Sequence, residues 1–368
     1  MNLVRVVNLK IEDVAFGGKG VARDSGKAIF VPYTIDGETV QAEIVREKKK
    51  FGEADLVEVV NPSPERVAPE CSYFGKCGGC AYQHISYTHQ LALKFRQVRD
   101  ALERIGKFTD VPMRPIISSP APYGYRNRVT VHVQDGDIGF FRRDSHRLID
   151  VEQCPISTEP VNAALQQLRT TSPRDGHYTL REHPGARIFS QTNDLVAGAL
   201  QKLVETLVPD GQHLLIDAYC GGGFFAKALM EKFEEVIGID WDRFAIEEAN
   251  KTATAKETYI AGDVAVELTQ LAVDGSPASG QLGSIHPTLI VDPPAIGLPE
   301  GVRQAIINLA PRTLIYISCN PATLARDLAA FRSNFELQSV TPLDMFPQTA
   351  EIEVVAHLQA RSVPVPQI

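Results

Sequence analysis

The run Thr313-Leu314-Ile315-Tyr316-Ile317-Ser318-Cys319-Asn320-Pro321 is apolar, ends in a cysteine and turns at a proline, and residues 322–331 continue with helical spacing. A thiol at a strand-to-helix junction is a candidate nucleophile, because the dipole of the following helix is expected to lower its pKa. The competing assignment is an inert buried cysteine, the commoner fate of a lone one. Cys220, set among glycines with no base beside it, is given that assignment.

A second group of residues suits a nucleoside-like ligand. Leu214-Leu215-Ile216-Asp217-Ala218-Tyr219-Cys220-Gly221-Gly222-Gly223 reads as a strand running into a glycine turn and then a helix. Such a turn lets a ligand approach the backbone, and the helix start offers free N–H groups. Asp240 closes the next strand, where an acid can hold ribose hydroxyls; Asp263 and Asp292 close two more. Acidic strand ends without a Gly-x-Gly-x-x-Gly phosphate cradle favour a cationic, phosphate-free nucleoside. S-adenosylmethionine is such a ligand, and a methyltransferase is favoured over a dehydrogenase. Asp217 is as well explained by a capping role.

A methyltransferase has a use for a thiolate when its target carbon is a poor nucleophile. Thiolate addition to carbon 6 of uracil pushes electron density onto carbon 5, which can then take a methyl group. A base must afterwards remove the carbon-5 proton so that the thiolate can leave. Glu351 and Glu353, in Phe346-Pro347-Gln348-Thr349-Ala350-Glu351-Ile352-Glu353, are the candidate bases, expected on one face of a closing strand. The alternative for each is a solvated carboxylate on an edge strand.

Four other cysteines, Cys71, Cys77, Cys80 and Cys154, have the count for tetrahedral thiolate coordination, the first three spaced x5 and x2. Metal binding is favoured over free thiols. Zinc and an iron–sulfur cluster both accept four cysteines, and zinc has the edge on general grounds.

These residues need a scaffold. At 368 residues the chain is expected to hold two or three domains. Residues 1–60 read as a small β-barrel of short strands (4–11, 28–31, 39–45, 54–60) separated by glycine turns. Residues 61–175 read as a central unit with the cysteine loop and an amphipathic helix at 86–106, a candidate for packing on the catalytic unit. Its apolar face is expected to hold Leu91, Phe95, Val98, Leu102 and Ile105. From 176 to 368 apolar strands alternate with helices, the rhythm of a doubly wound α/β sheet, closing with an antiparallel pair near 339–345 and 352–358. No run approaches the roughly 20 apolar residues of a membrane helix, so a cytoplasmic protein without membrane contact is expected. No obligate protein partner is evident. The net charge of −8 argues against non-specific coating of nucleic acid, yet residues 81–150 carry +4. An acidic body with one basic region suits a selective polyanion binder, with Arg126, Arg128, Arg142 and Arg143 the first candidates for RNA contact.

Taken together the residues resemble the RNA uridine-5-methyltransferases, in the branch with an N-terminal TRAM domain and an iron–sulfur cluster. The likeness spans nearly the whole chain and is sharpest at Ser318-Cys319-Asn320-Pro321-Ala322-Thr323-Leu324-Ala325-Arg326-Asp327-Leu328. It implies Cys319 as nucleophile and Glu353 as base. Phe189-Ser190-Gln191-Thr192-Asn193 is similar to a cofactor-binding segment, so Gln191, Tyr219, Asp240 and Asp292, and less directly Phe224 and Asp263, are implied to bind S-adenosylmethionine. The resemblance implies an OB-like TRAM barrel over 1–60 and a [4Fe-4S] cluster, in place of zinc, on Cys71, Cys77, Cys80 and Cys154. It also implies an RNA substrate: 23S ribosomal RNA first, transfer RNA second. Three positions depart from the family pattern: Ala295 where Arg is usual, Phe224 where Asn is usual, and Glu351 where His is usual. Rival assignments are an amino-group methyltransferase, since Asp292-Pro293-Pro294 also suits nitrogen chemistry, and an RNA-binding iron–sulfur protein that has lost catalysis.

Overall fold

The computed structural model describes residues 5–143, 145–182, 191–274 and 286–361. Val4, Phe189 and Ser190, which entered the sequence reading, lie outside them.

The N-terminal sheet contains β1 (Arg5–Lys10), β2 (Asp13–Val14), β3 (Lys19–Asp24), β4 (Lys27–Pro32), β5 (Thr39–Glu47) and β6 (Phe51–Asn61), in the order β1-β5-β6-β4-β3-β2. Period-2 alternation turns Leu9, Ile29, Val31, Val40, Ala42 and Ala54 into its core. Glu38, fully buried beside it, takes a bidentate contact from Arg66, which ties the barrel to the linker that follows.

Helix α1 (Tyr87–Arg104) starts at Ser86, whose hydroxyl accepts from the His89 N–H. Its buried face is Gln90, Leu93, Lys94, Gln97, Val98 and Leu102; Leu91 and Phe95 are only partly covered, and Ile105 lies past the helix end, exposed. The expected all-apolar face is therefore rotated, because three polar side chains find buried partners. Val98 and Leu102 belong to the core of the catalytic sheet, so the helix does pack there.

The central sheet is built from β7 (Arg128–Gln134), β8 (Asp137–Phe141), β9 (Leu148–Asp150) and β10 (Gly176–Arg181), in the order β10-β7-β8-β9, with α2 (Glu159–Thr170) contributing Val161 and Leu165 to its core. The sequence reading gives residues 176–181 to the third unit. In the structure they pair in full antiparallel register with β7 of the central sheet, from Gly176 opposite Val133 to Arg181 opposite Arg128.

The third sheet holds β11 (Gln212–Ala218), β12 (Phe233–Asp240), β13 (Glu257–Ala261), β14 (Thr288–Val291), β15 (Thr313–Ser318), β16 (Phe335–Leu343) and β17 (Glu353–Ala360). Its order is β13-β12-β11-β14-β15-β17-β16, five parallel strands followed by β17 antiparallel to both neighbours. Strands β14 and β15 are buried throughout, as a parallel sheet covered on both faces requires. The covering helices are α3 (Asp194–Leu207), α4 (Phe224–Leu229), α5 (Arg243–Lys251), α6 (Val264–Asp274), α7 (Glu300–Leu309) and α8 (Pro321–Phe331). Asn320 caps α8 by accepting from the N–H groups of Ala322 and Thr323, with Pro321 at the first helical position. No helix among the described residues is long and apolar enough to cross a membrane.

Candidate active site

Strand β15 delivers Cys319 to the carboxyl edge of the sheet, one residue before the Asn320 cap. Strand β17 delivers Glu353 to the same edge. Ser318 faces Val354 in the antiparallel register, so the next step along the ladder sets Cys319 against Glu353. Glu351 precedes the strand and is exposed, whereas Glu353 is buried. The expected shared face is thus absent: the two carboxylates differ in environment.

The electrostatics at this edge overturn one expectation. Burial, and then the carboxylates of Glu353 and Asp292, push the Cys319 thiol up to about 11, and the adjacent helix start does not reverse this. Burial also raises Asp292 to about 7. Glu353 is held well above the usual carboxylate range by burial, with Asp292 and then Glu351 adding to it. One Glu353 oxygen is buried without a hydrogen-bond partner. Such a crowd of acids in a low-dielectric edge favours a cationic ligand and protonation of its own members.

Cys319 is half-buried and opens on a cavity of about 510 Å³. Three parts of the chain line it: Phe16 and Gly17 of the barrel; Gly78, Gly79 and Ala81 of the cysteine loop with Arg143; and Ala295, Asn320, Phe346, Thr349, Ala350 and Glu351 of the catalytic unit. The barrel and loop contributions carry no signature in sequence beyond turn glycines. Ala295 presents only a methyl group here, and its carbonyl accepts from the Asn320 amide and the Thr323 hydroxyl.

The other parallel strands end at the same edge of the sheet. Tyr219 adopts a left-handed backbone (φ 65°) directly after β11, and its N–H donates to the Ile239 carbonyl. Asp240 accepts from the N–H groups of Gly221 and Asp242, at 2.8 and 2.9 Å, which fixes the glycine turn against β12. Asp217 is fully buried, accepts from the Ala226 N–H inside α4 and is raised to about 7 by burial, with Asp292 and Asp240 adding to it. Its capping role is therefore observed. Asp263 is exposed and caps α6 through the N–H groups of Ala265 and Val266. Phe224 opens α4, its ring edge-on to Phe225. Gln191 is buried, its carbonyl held by the Asn127 amide, on the segment that leads from the central sheet into α3. Cys220 is buried and its thiol is pushed far up by desolvation, in keeping with an inert role.

Cys71, Cys77, Cys80 and Cys154 line one cavity of about 330 Å³, together with Arg126 and Arg128. Burial raises Cys71, raises Cys77 to about 11 and raises Cys80 to about 12. Among the described residues no three such side chains close on a point that would hold a single metal ion.

A doubly wound sheet with this strand order, an edge where β15 and β17 bring a cysteine near a buried carboxylate, and an N-terminal barrel together have the architecture of an α/β methyltransferase. The tRNA (uracil-5-)-methyltransferase family profile matches residues 172–361, and the TRAM domain profile matches residues 2–57. An uncharacterized RNA methyltransferase of Thermosynechococcus vestitus is 30% identical, over 96% of this chain and 97% of its own. One of Bdellovibrio bacteriovorus is 31% identical over 97% and 95%. The structure of a Pyrococcus abyssi tRNA (uracil-54, C5)-methyltransferase in complex with S-adenosyl-L-homocysteine superposes with a TM-score of 0.71 at 24% identity, over 96% of this chain and all of that one, and so has the same fold. The chain belongs to the RNA uracil-5-methyltransferase family.

Proposed function

We propose that this protein methylates carbon 5 of uridine in RNA through a transient bond between Cys319 and carbon 6. The observation that carries the reading is that β15 ends beside the start of β17, so that Cys319, on the wall of a cavity of about 510 Å³, has the buried Glu353 carboxylate as an electrostatic neighbour. The Cys319 thiol loses its proton to solvent, its sulfur bonds to carbon 6, and the electron pair of the carbon 5–carbon 6 double bond moves toward carbon 5 and the carbon-4 oxygen, making carbon 5 the nucleophile. S-adenosylmethionine, when bound, supplies the electrophilic methyl group and leaves as the neutral thioether. Glu353 accepts the carbon-5 proton, the sulfur–carbon 6 bond breaks and the ring double bond is restored. Glu353 must be ionised to take that proton, and because burial raises its proton affinity, its ionised form is a stronger base toward carbon than an exposed carboxylate. Gln191, Tyr219, Phe224, Asp240, Asp263 and Asp292 are the proposed cofactor contacts. Of these, Tyr219, Asp240 and Asp292 have the strongest support, since they stand on adjacent strand ends.

RNA containing 5-fluorouridine tests the reading. Fluorine cannot leave as a proton, so a complex that survives denaturation is expected with wild-type protein and not with Cys319→Ala. Unchanged trapping by the alanine variant rejects Cys319. Absence of trapping by wild type on its own RNA favours nitrogen chemistry or a binding protein.

The four cysteines share one cavity, and both zinc and an iron–sulfur cluster accept four thiolates; we propose the [4Fe-4S] cluster. Cys71, Cys77, Cys80 and Cys154 would hold it, in a structural or RNA-binding role. A broad visible absorption band is expected from anaerobically purified protein; zinc by elemental analysis without that band rejects the cluster.

For RNA, the barrel and the central sheet are the proposed contacts. Arg128 is depressed by burial and then by Arg181 and Arg126, which places three guanidinium groups near one another on the central sheet. Arg143 is partly committed elsewhere: it donates to the carbonyls of Gly17 and Cys80 and lies over the Tyr33 ring, joining barrel to cysteine loop. We take large-subunit ribosomal RNA as the substrate, from the pairing of a TRAM barrel with four cysteines. Mapping 5-methyluridine in total RNA with and without the gene decides; loss from transfer RNA alone reassigns it. The units that share this work are a barrel over 1–60, a central unit from 61 extended through β10, and the methyltransferase unit after it.

A further inference from the structure

The stretch between Phe346 and Glu353 carries four side chains into the Cys319 cavity and then becomes β17. Nothing in its composition makes it rigid. At its centre Gln348 is 3% exposed and has φ of +67°, a left-handed backbone that costs a residue with a Cβ about 1 kcal/mol or more. A conformation of that kind persists only where its surroundings over-determine it.

The surroundings hold the turn through several of its polar atoms. The Gln348 carbonyl accepts from the N–H groups of Ala81 and Tyr82, at 3.0 and 2.9 Å. Its own N–H donates to the Gln90 side-chain oxygen at 3.1 Å, and its side-chain oxygen accepts from the Gln90 amide at 3.0 Å. On one side Pro347 accepts from the Tyr125 hydroxyl, and Phe346 accepts from the buried Lys94 ammonium. On the other, the Thr349 hydroxyl accepts from the Glu351 N–H. The two clamping N–H groups directly follow Cys80. The segment Cys77 to Ala81 is in fact a common wall: Cys77, Gly79 and Cys80 line the cysteine cavity, while Gly78, Gly79 and Ala81 line the Cys319 cavity.

We propose that Gln348 is a positioning residue, anchored to the backbone after Cys80 and to Gln90, that sets Thr349–Glu353 and so holds the carboxylate of Glu353 in register with Cys319. The inference rests on the reading of Cys319 as nucleophile and Glu353 as base. Gln348 itself touches no reacting atom. Its loss should slow the step that needs the base more than the step that needs the thiol. Addition and methyl transfer would proceed, and the proton at carbon 5 would be removed slowly.

The test compares wild type, Gln348→Ala, Gln348→Asn and Gln90→Ala on matched RNAs carrying uridine or 5-fluorouridine. The expected result for Gln348→Ala is a fall in kcat of roughly 10- to 100-fold, the scale of a sub-ångström to ångström misplacement. KM should stay within about threefold, and a denaturation-resistant complex should accumulate on ordinary uridine. Trapping on 5-fluorouridine should form at near the wild-type rate, which also reports that the variant is folded. Gln90→Ala should show the same pattern more weakly. Gln348→Asn, which keeps an amide and tolerates the left-handed backbone, should recover most of kcat. Normal turnover by Gln348→Ala, or equal loss of both steps in Gln348→Ala and Gln90→Ala with no adduct on either RNA, overturns the inference while wild-type trapping keeps the parent reading intact. Failure of wild type to trap 5-fluorouridine RNA overturns both.

Discussion

The reactivity of Cys319 should depend on the charge of what occupies the adjoining pocket. In the ligand-free protein burial and two carboxylates push this thiol up to about 11, against about 8.5 for a free cysteine. At pH 8 roughly one thiol in a thousand would then be ionised, compared with about a quarter of free cysteine. A thiolate of higher pKa is the better nucleophile, by roughly 0.4–0.5 logarithmic units per pKa unit, which returns about tenfold. Alkylation of Cys319 by iodoacetamide at pH 8 should therefore run roughly 20-fold slower than that of an exposed thiol. Its rate should climb close to tenfold per pH unit between pH 7 and 10 without a plateau. A positive charge favours the thiolate, so S-adenosylmethionine should move the profile to lower pH. S-adenosylhomocysteine, of nearly the same shape but without the sulfonium charge, should move it far less. The assay is mass spectrometry of the Cys319 peptide after timed alkylation, which separates it from the other five cysteines. A plateau near pH 8.5 in the ligand-free protein would refute the argument from burial. Equal shifts with both ligands would refute the argument from charge.

Two further outcomes follow from the scaffold and the RNA face. Lys94 and Asp344 form a fully buried pair at 2.6 Å, with the second Asp344 oxygen unpartnered. Lys94→Met should cost about 3–5 kcal/mol in urea unfolding by stranding that carboxylate, and adding Asp344→Leu should recover much of it; a single-variant loss below about 1 kcal/mol contradicts this. Arg126 lines the cysteine cavity beside Arg128. If it contacts phosphate, Arg126→Ala should weaken binding of unrelated RNA sequences alike and lower the slope of log affinity against log salt by about 1; an unchanged slope removes it from the RNA face.

The elements that could be read from sequence are those whose signals are local. Strand β15 reads as buried because Leu314, Ile315, Tyr316 and Ile317 leave no polar face, and the start of α8 reads from Asn320 and Pro321, a cap and a first-turn residue. The acids closing β12 and β14 read from the strand rhythm. What stayed hidden depends on partners far away in the chain. Strand β10 has the same alternation whether it joins the central or the catalytic sheet, and only its pairing with β7 decides. The face of α1 was set by hydrophobic spacing in the reading and by polar contacts in the fold, since Gln90 meets Gln348 and Lys94 meets Asp344 some 250 positions later.

The thiol shows why the site was less legible than the fold. From sequence Cys319 has one visible neighbour, the N-terminus of α8, and that neighbour alone predicts a lowered pKa. Glu353 is 34 residues away in sequence and becomes a neighbour only because β17 inserts between β15 and β16. Asp292 arrives from β14 on the other side. Burial, with two carboxylates adding to it, pushes the thiol up where a helix start alone predicts the reverse. The reversal is chemically useful if the methyl donor carries positive charge. The thiol would stay protonated and inert until the donor arrives, and the cation would ionise it where it is needed. An activated thiolate in the empty site would be open to oxidation and alkylation at every turnover. Carboxylates packed around a buried thiol would thus make its reactivity conditional on a cationic cofactor.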